Sequence, residues 1–276
     1  MTREGRTTPH GPGADARRPR PVACRCRRVS VEFESTGTRR RILEGVTFDL
    51  FEGEFVAIMG RSGTGKTTLL RVLGGLLDAT PDATITFNGQ PVDGPPEGVV
   101  FVFQNYAASL LPWRTVDRNV ALGLEGRESR NEIESRVAEA LAMVGLSDRA
   151  KDHPWQLSGG MQQRVQLARS LAMRPCGLLM DEPFGSLDAM TKASLQDELQ
   201  RVHQRTGATV AFVTHDIDEA VFLSDRVLIL EGAPATIGHE IPVDLPRPRD
   251  QLTTKETPEF LQLRRRVYDA LLGTDG

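Results

Sequence analysis

A glycine-rich segment near residue 60 has the residue types that bind a polyphosphate. Its spacing, Gly60-x-x-x-x-Gly65-Lys66-Thr67, follows the apolar run 55–59 and precedes leucines at helical intervals. Backbone N–H groups of such a loop converge on phosphate oxygens at a helix N-terminus. Lys66 can neutralise the outer phosphates, and Thr67 can ligate magnesium. We expect the nucleotide contacts to come from Gly60, Arg61, Ser62, Gly63, Thr64, Gly65, Lys66, Thr67 and Thr68.

Two consecutive acids, Asp181 and Glu182, follow the apolar run 177–180. Such a run is typical of a parallel strand buried on both faces, and open parallel sheets bind ligands at the carboxyl edge of their strands. There Asp181 can hold magnesium through water, and Glu182 can polarise the water that attacks a γ-phosphate. Taken alone, adjacent acids at a strand end fit an exposed turn equally well.

A third segment, from Leu157 to Arg164, predicts a helix that begins after Ser158. A serine N-cap followed by Gly159 and Gly160 presents backbone amides and the positive end of the helix dipole to an anion. Since the chain already has its own phosphate loop, we interpret this second phosphate-seeking helix end as a contact with ATP held on another subunit.

The elements that must position these residues alternate between strand and helix. Val29, Val31 and Phe33 alternate with polar residues, and residues 46–50 alternate again, so we expect an antiparallel pair. Later apolar runs separated by helical patterns predict a mostly parallel sheet. Residues 107–173 are instead predicted to form a helical insertion. The expected buried strands are 55–59, 99–103, 177–180, 210–213 and 227–230, and the expected helices are 132–144, 162–172, 190–205 and 216–223.

Composition excludes several classes of protein. The 276 residues are 39% hydrophobic and 26% charged, which is a globular balance. The sequence has no apolar run near the roughly 18 residues of a membrane span, and the N-terminus lacks the apolar core of a secretory signal. We therefore expect a cytosolic chain that does not cross a bilayer alone. Three cysteines, Cys24, Cys26 and Cys176, lack the spacing of a zinc site and are interpreted as structural or incidental thiols.

Charge is unevenly distributed along the chain. The net charge is −3, but residues 1–28 hold eight arginines against two acids, a net +6, which leaves −9 on the rest. An acidic body argues against nucleic acid as a partner. The basic, Pro- and Gly-rich segment 1–28 is predicted to be disordered, either without a function or in contact with anionic lipid.

The ordered motifs resemble those of ATP-binding subunits of ABC transporters over residues 29–240. The resemblance implies an α/β P-loop NTPase fold with a mostly parallel sheet, an antiparallel β subdomain and an α-helical subdomain, and it implies ATP and Mg²⁺ as cofactors. It identifies Gln104 as the Q-loop residue, Ser186 to Asp188 as the D-loop and His215 as the switch histidine at the end of a buried strand. Thr67, Gln104 and Asp181 are then expected on the metal. Catalytic roles fall to Glu182, His215 and Gln104, and nucleotide contacts also to Ser158, Gly159 and Gly160.

The resemblance leaves two aromatic residues with two interpretations each. Phe33 stands where an adenine-stacking aromatic belongs, but it also fits a core position. Trp113 lies in a Pro-containing loop and is either a core plug or an interface anchor. The segment 110–120 is similar to the groove segment of the ATPases of nitrate, sulfonate and taurine importers, which receives the cytoplasmic helix of the permease. Relative to that group, Ala107 to Ser109 is expected to lengthen the preceding loop.

This resemblance implies an ATP-hydrolysing importer subunit for a small oxyanion such as alkanesulfonate, taurine or nitrate. It would act as a homodimer beneath permease subunits at the cytoplasmic face of the membrane, with a substrate-binding protein as an indirect partner. The alternatives are an exporter or lipoprotein-release ATPase and a soluble ABC ATPase. Residues 241–276 are expected to form an extension whose helix begins after Thr257 and docks on the body, with a separate binding module as the alternative.

Overall fold

The computed structural model describes residues 20–35, 38–104, 109–185 and 187–273. Strands dominate the first hundred residues, helices the next seventy, and the two alternate afterwards. The strands are β1 Val22–Ser35, β2 Thr38–Phe51, β3 Phe55–Gly60, β4 Thr84–Phe87, β5 Gln90–Pro91, β6 Val99–Val102, β7 Gly177–Asp181, β8 Thr209–Val213, β9 Arg226–Gly232 and β10 Ala235–Pro242. The helices are α1 Lys66–Leu73, α2 Val116–Ala121, α3 Arg130–Met143, α4 Gly159–Ala172, α5 Ala189–Thr206, α6 Ile217–Leu223 and α7 Pro258–Leu272, with 3₁₀ turns at Ser147–Arg149 and Pro154–Gln156.

All of these strands join one sheet, in the order β5-β4-β1-β2-β10-β9-β3-β8-β7-β6. The half from β9 to β6 is parallel, and the pairs β1–β2, β1–β4, β4–β5 and β9–β10 are antiparallel. Ile58 of β3 lies level with Val213 of β8, and Val213 lies level with Asp181 of β7. The carboxyl ends of these three strands therefore meet at one edge of the sheet.

The core covers both faces of the sheet. In β3, Phe55, Ala57 and Met59 point to the face covered by most of the helices, while Val56 and Ile58 point to the other face with α1 and the antiparallel strands. Because β3 is buried on both faces, it is apolar along its whole length, as the continuous run had predicted.

Two sequence predictions about strands were wrong: where the first strand begins and how deeply the strand at 99–103 is buried. The first strand begins at Val22, so residues 22–28 are not part of a disordered segment, and residues 1–19 lie outside the described ranges. Cys24 and Cys26 point into the core from β1, and burial raises the pKa of Cys24 to about 12. The expected buried strand at 99–103 is the short edge strand β6, three of whose four residues are only half-buried.

Helices α2, α3 and α4 lie between β6 and β7 in the chain. Ser129 caps α3 by accepting from the backbone N–H of Glu132 at 3.3 Å. Val137, Leu141 and Val165 fill the space between α3 and α4. Residues 105–108 are outside the described part of the chain, so the predicted lengthening at Ala107 lies there as well.

The last helix packs against the main body of the chain. Thr257 caps α7 by accepting from the Phe260 N–H at 3.2 Å, and Pro258 occupies its first turn. Phe260, Leu263 and Val267 are buried against the main core. Within residues 20–35, 38–104, 109–185 and 187–273, no helix has the length and apolar character needed to span a bilayer.

Candidate active site

The glycine-rich loop connects β3 directly to α1, as the sequence predicted. Gly60 and Gly65 have φ angles of 152° and 91°. A Cβ atom on Gly60 would lie 2.6 Å from the carbonyl oxygen of Leu230, and one on Gly65 would lie 2.8 Å from Cγ2 of Ile42. Only glycine therefore fits at either position, and the tight turn leaves backbone N–H groups at the N-terminus of α1.

Lys66 is the first residue of α1, and its side chain folds over the loop. Nζ donates to the carbonyl oxygens of Gly60 and Arg61, each at 3.0 Å. Burial lowers the pKa of Lys66, while the charges of Glu182 and Asp181 act in the opposite direction. The ammonium group is thus held between the loop and two acids. In this position it can pair with the negative charge of a polyphosphate bound to the loop.

Thr67 and Asp181 bring two oxygen atoms together across the sheet edge. The Thr67 hydroxyl donates to Oδ1 of Asp181 at 3.0 Å. Burial raises the pKa of Asp181, against the lowering effect of this hydrogen bond. Hard divalent cations take such oxygens, and Mg²⁺ usually completes its shell with water and phosphate. Across the described ranges, no group of three or more His, Cys, Asp or Glu residues forms a metal site of another kind.

Glu182 is the point where the remaining predicted residues meet. Gln104 donates from Nε2 to Oε2 of Glu182 at 2.9 Å, and Nδ1 of His215 lies 3.6 Å from the same oxygen. Glu182 has a φ of 46°, in the left-handed region that non-glycine residues rarely adopt. Its N–H donates to the carbonyl of Val213 at 3.1 Å, which extends the hydrogen bonding between β7 and β8 to Glu182.

The Ser158 segment caps α4 in the predicted way. Ser158 Oγ accepts from the Met161 N–H at 3.4 Å, and Ser158 and Gly159 are exposed. A Cβ on Gly160 would lie only 2.2 Å from Cγ2 of Thr191 on α5, so this segment packs tightly on its neighbour. Asp188 caps that neighbour by accepting from the N–H groups of residues 190 and 191. Ser186 falls outside the described residues.

Both undecided aromatic residues are exposed. Phe33 is 43% exposed on β1, directly opposite Arg40 of β2, so its core interpretation was wrong. Trp113 is 73% exposed, so the core-plug interpretation was wrong as well. Their expected contacts with adenine and with a permease stay predictions.

Sequence analysis did not identify the polar residues that hold the His215 segment. Lys192 of α5 forms ion pairs with Asp216 at 3.2 Å and with the buried Glu219 at 2.8 Å. Thr214, on the other side of His215, also donates to Glu219. In the sequence, Lys192 resembles any solvent-exposed lysine on a polar helix. No sequence pattern therefore indicated that it holds the His215 segment.

A glycine-rich loop, a buried lysine and paired acids at the carboxyl edge of parallel strands define a P-loop NTPase site. The sequence model of the ABC transporter family matches residues 43–185. The nitrate import ATP-binding protein NrtC of Synechococcus elongatus is 46% identical over 233 residues, which are 83% of this chain and 35% of NrtC. The bicarbonate transport ATP-binding protein CmpD of the same species is 42% identical over 247 residues, 88% of each chain.

A solved structure extends the comparison to the fold. The dimeric ATP-binding cassette MJ0796 bound to ADP and Pi superposes with a TM-score of 0.69 at 32% identity, covering 80% of this chain and 98% of that one. The chain belongs to the ABC transporter family, and it is an ATPase cassette of that family. It spans about a third of the length of NrtC.

Replacing Lys66 by alanine should weaken nucleotide binding and hydrolysis together, because the substitution removes the cation that faces the outer phosphates. We expect at least a tenfold loss of ATP affinity, equivalent to about 1.4 kcal/mol, in a titration with a fluorescent ATP analogue. Lys151→Ala is the matched control, since Lys151 is an exposed lysine paired with Asp117. Normal ATP affinity in Lys66→Ala would contradict the role of Lys66.

Proposed function

We propose that the chain is the ATP-hydrolysing subunit of an importer for a small oxyanion. The observation that carries the proposal is the convergence of Lys66, Thr67, Asp181, Glu182 and His215 at one sheet edge. They come from three separate parts of the sequence, at positions 66–67, 181–182 and 215, and the site needs all three in one place.

In this proposal the phosphate loop binds the nucleotide and Glu182 acts on water. Loop N–H groups and Lys66 hold the outer phosphates at the N-terminus of α1. Glu182 orients and polarises the attacking water, and Gln104 and His215 lie beside its carboxylate to contact the water and the γ-phosphate.

Thr67 and Asp181 are the residues that would hold Mg²⁺. Their two oxygens lie 3.0 Å apart at the end of the loop, and the buried carboxylate suits a hard cation. When bound, the ion would screen the negative charge of the phosphates. Gln104 donates to Glu182 at 2.9 Å. Its contact with the metal stays a prediction.

Glu182→Gln should separate binding from hydrolysis. We expect ATP still to bind while turnover falls by roughly a hundredfold or more, because glutamine keeps the shape but cannot take a proton from water. Phosphate release and ATP binding measured on the same preparation check this. Wild-type turnover would assign the base to another residue.

We also propose a head-to-tail homodimer, in which Ser158, Gly159 and Gly160 complete the site of the partner copy. Support comes from the exposed, capped N-terminus of α4 and from the dimeric state of the similar cassette MJ0796. Phe33 is exposed on β1 and is the proposed adenine contact.

Mixed dimers test this arrangement. Ser158→Arg should abolish hydrolysis but not ATP binding to the isolated subunit, whereas Lys66→Ala should lose both. Mixing the two inactive variants should restore activity, because one composite site then has an intact phosphate loop and an intact Ser158. Each variant mixed with itself is the control, and no recovery in the mixture would mean that each site is complete within one chain.

The import assignment and the choice of cargo draw on the named relatives. NrtC is named for nitrate import and CmpD for bicarbonate transport, both small oxyanions, and alkanesulfonate and taurine belong to the same chemical class. The proposed partners are therefore permease subunits, with a substrate-binding protein acting through them. The proposed place of the chain is peripheral, at the cytoplasmic face of the membrane.

The cargo can be tested in proteoliposomes that contain the chain with its permease and binding protein. We expect the binding protein loaded with nitrate, bicarbonate, an alkanesulfonate or taurine to stimulate ATP hydrolysis and to drive uptake. The Glu182→Gln variant controls for leakage. ATP-driven efflux, or no response to any of the four, would overturn the importer proposal and leave the ATPase assignment intact.

Trp113 should anchor the permease. Interface tryptophans often contribute 2 kcal/mol or more, which is roughly thirtyfold in affinity. We expect Trp113→Ala to weaken co-purification with the permease and leave the ATPase activity of the isolated subunit unchanged. Trp155 is also an exposed tryptophan, at 70%, so Trp155→Ala is the matched control. Unchanged co-purification of Trp113→Ala would contradict the groove assignment for residues 110–120.

A further inference from the structure

The short helix α6 follows His215 with only one residue between them. Asp216 caps the helix by accepting from the N–H groups of Asp218 at 2.9 Å and Glu219 at 3.2 Å. A helix of seven residues is not stable on its own, so surrounding contacts must hold it. Since His215 directly precedes the N-cap Asp216, the backbone links the position of α6 to that of His215.

A buried arginine from the C-terminal extension holds the last turn of α6. Nη1 of Arg249 donates to the carbonyl oxygens of Val221 at 3.1 Å, Phe222 at 3.0 Å and Ser224 at 2.7 Å. The last carbonyls of a helix have no partner within it, and here one guanidinium supplies the donors. Arg249 is only 5% exposed, and burial lowers its pKa to about 10, so it is still a cation at neutral pH.

Arg247 connects the same helix end to the strand that carries the phosphate loop. Its Nη2 donates to the carbonyl of Leu223 at 2.7 Å and to Oδ1 of Asp225 at 2.8 Å. The other oxygen of Asp225 accepts from the N–H of Phe55, the first residue of β3, at 3.0 Å. Two arginines of one loop thus fix where α6 ends.

The extension is itself attached to the ATPase body on both sides of these arginines. Gln200 of α5 donates to the carbonyl of Arg249 at 3.4 Å, and Gln251 donates to Asp197 of α5 at 2.9 Å. At the far end of α7, Arg61 of the phosphate loop donates to the carbonyl of Leu272 at 3.3 Å. The loop that carries the arginines is therefore held at several points.

We propose that Arg249, assisted by Arg247, is a positioning residue for hydrolysis that acts through α6 on His215. The extension from Val243 to Leu272 then has a function in the ATPase cycle: it holds the switch histidine within reach of Glu182 and the γ-phosphate. This inference rests on the proposed role of His215.

The test compares Arg249→Met, Arg249→Lys and Arg265→Met in the full chain. Arg265 is the matched control, since it lies on the outer face of α7, 75% exposed and paired with Asp269. We expect Arg249→Met to lower kcat by roughly tenfold to a hundredfold, because a displacement of about 1 Å can cost that much. Affinity for ADP should stay within about twofold, since ADP lacks the phosphate that His215 contacts. Arg249→Lys, which keeps the charge and some donors, should fall between Arg249→Met and wild type.

Combining Arg249→Met with His215→Ala separates positioning from general destabilisation. If Arg249 acts through His215, the second substitution should lower kcat by less than about threefold in the His215→Ala background. Equal losses in both backgrounds, or a parallel loss of ADP affinity, would overturn the proposal. So would wild-type kcat in folded Arg249→Met.

Two further outcomes are distinguishable. If His215→Ala itself keeps wild-type kcat, then the proposed role of His215 fails, and the positioning role fails with it. If His215→Ala is impaired but the arginine variant is not, only the positioning role fails. Should Arg249→Met not give a cooperative thermal transition, Arg247→Met makes the same comparison at a residue on the edge of the cluster, 20% exposed.

Discussion

Parallel pairing of β3, β8 and β7 is the constraint on which the site depends. The register places Ile58, Val213 and Asp181 side by side, so the phosphate loop, His215 and the paired acids leave the sheet at one edge. Side chains alternate between the faces of a strand, so a slip of one residue would move every side chain of β3 into the core on the opposite face, where it does not fit. The full burial of β3 and β8 on both faces makes that register costly to change.

The buried charged side chains of the site lie beside groups of opposite charge or beside hydrogen-bond donors. Buried Lys66 lies near Asp181 and Glu182, and Asp181 accepts from Thr67. On the far side of His215, Glu219 pairs with Lys192 at 2.8 Å. Charged groups lose hydration when they are buried, and they persist there because such partners compensate. The site therefore combines a low-dielectric environment with few unpaired charges.

The sequence predicted the parallel core and the phosphate loop, because continuous apolar runs and glycine spacing are local signals. Gln104 and His215, which meet at Glu182, were instead expected from the resemblance to ABC transporter subunits. The sequence did not predict the start of β1, because the six arginines between residues 17 and 28 made that segment look disordered, although the two cysteines alternate as a strand requires. It also gave no sign of the role of Arg249. Arg249 lies between Pro248 and Asp250, in a segment without periodicity, and its partners on α6 are carbonyl oxygens 25 to 28 residues away, which only the folded chain brings near.

The left-handed backbone of Glu182 implies a conflict between folding and chemistry. A non-glycine residue in that conformation costs about 1–3 kcal/mol, and glycine would avoid much of this. A selection for thermal robustness alone would thus favour glycine at the one position where the carboxylate is needed. If Glu182 is the general base, as proposed, the cassette can remove this local instability only by losing that base, and improving its stability must rely on sites elsewhere.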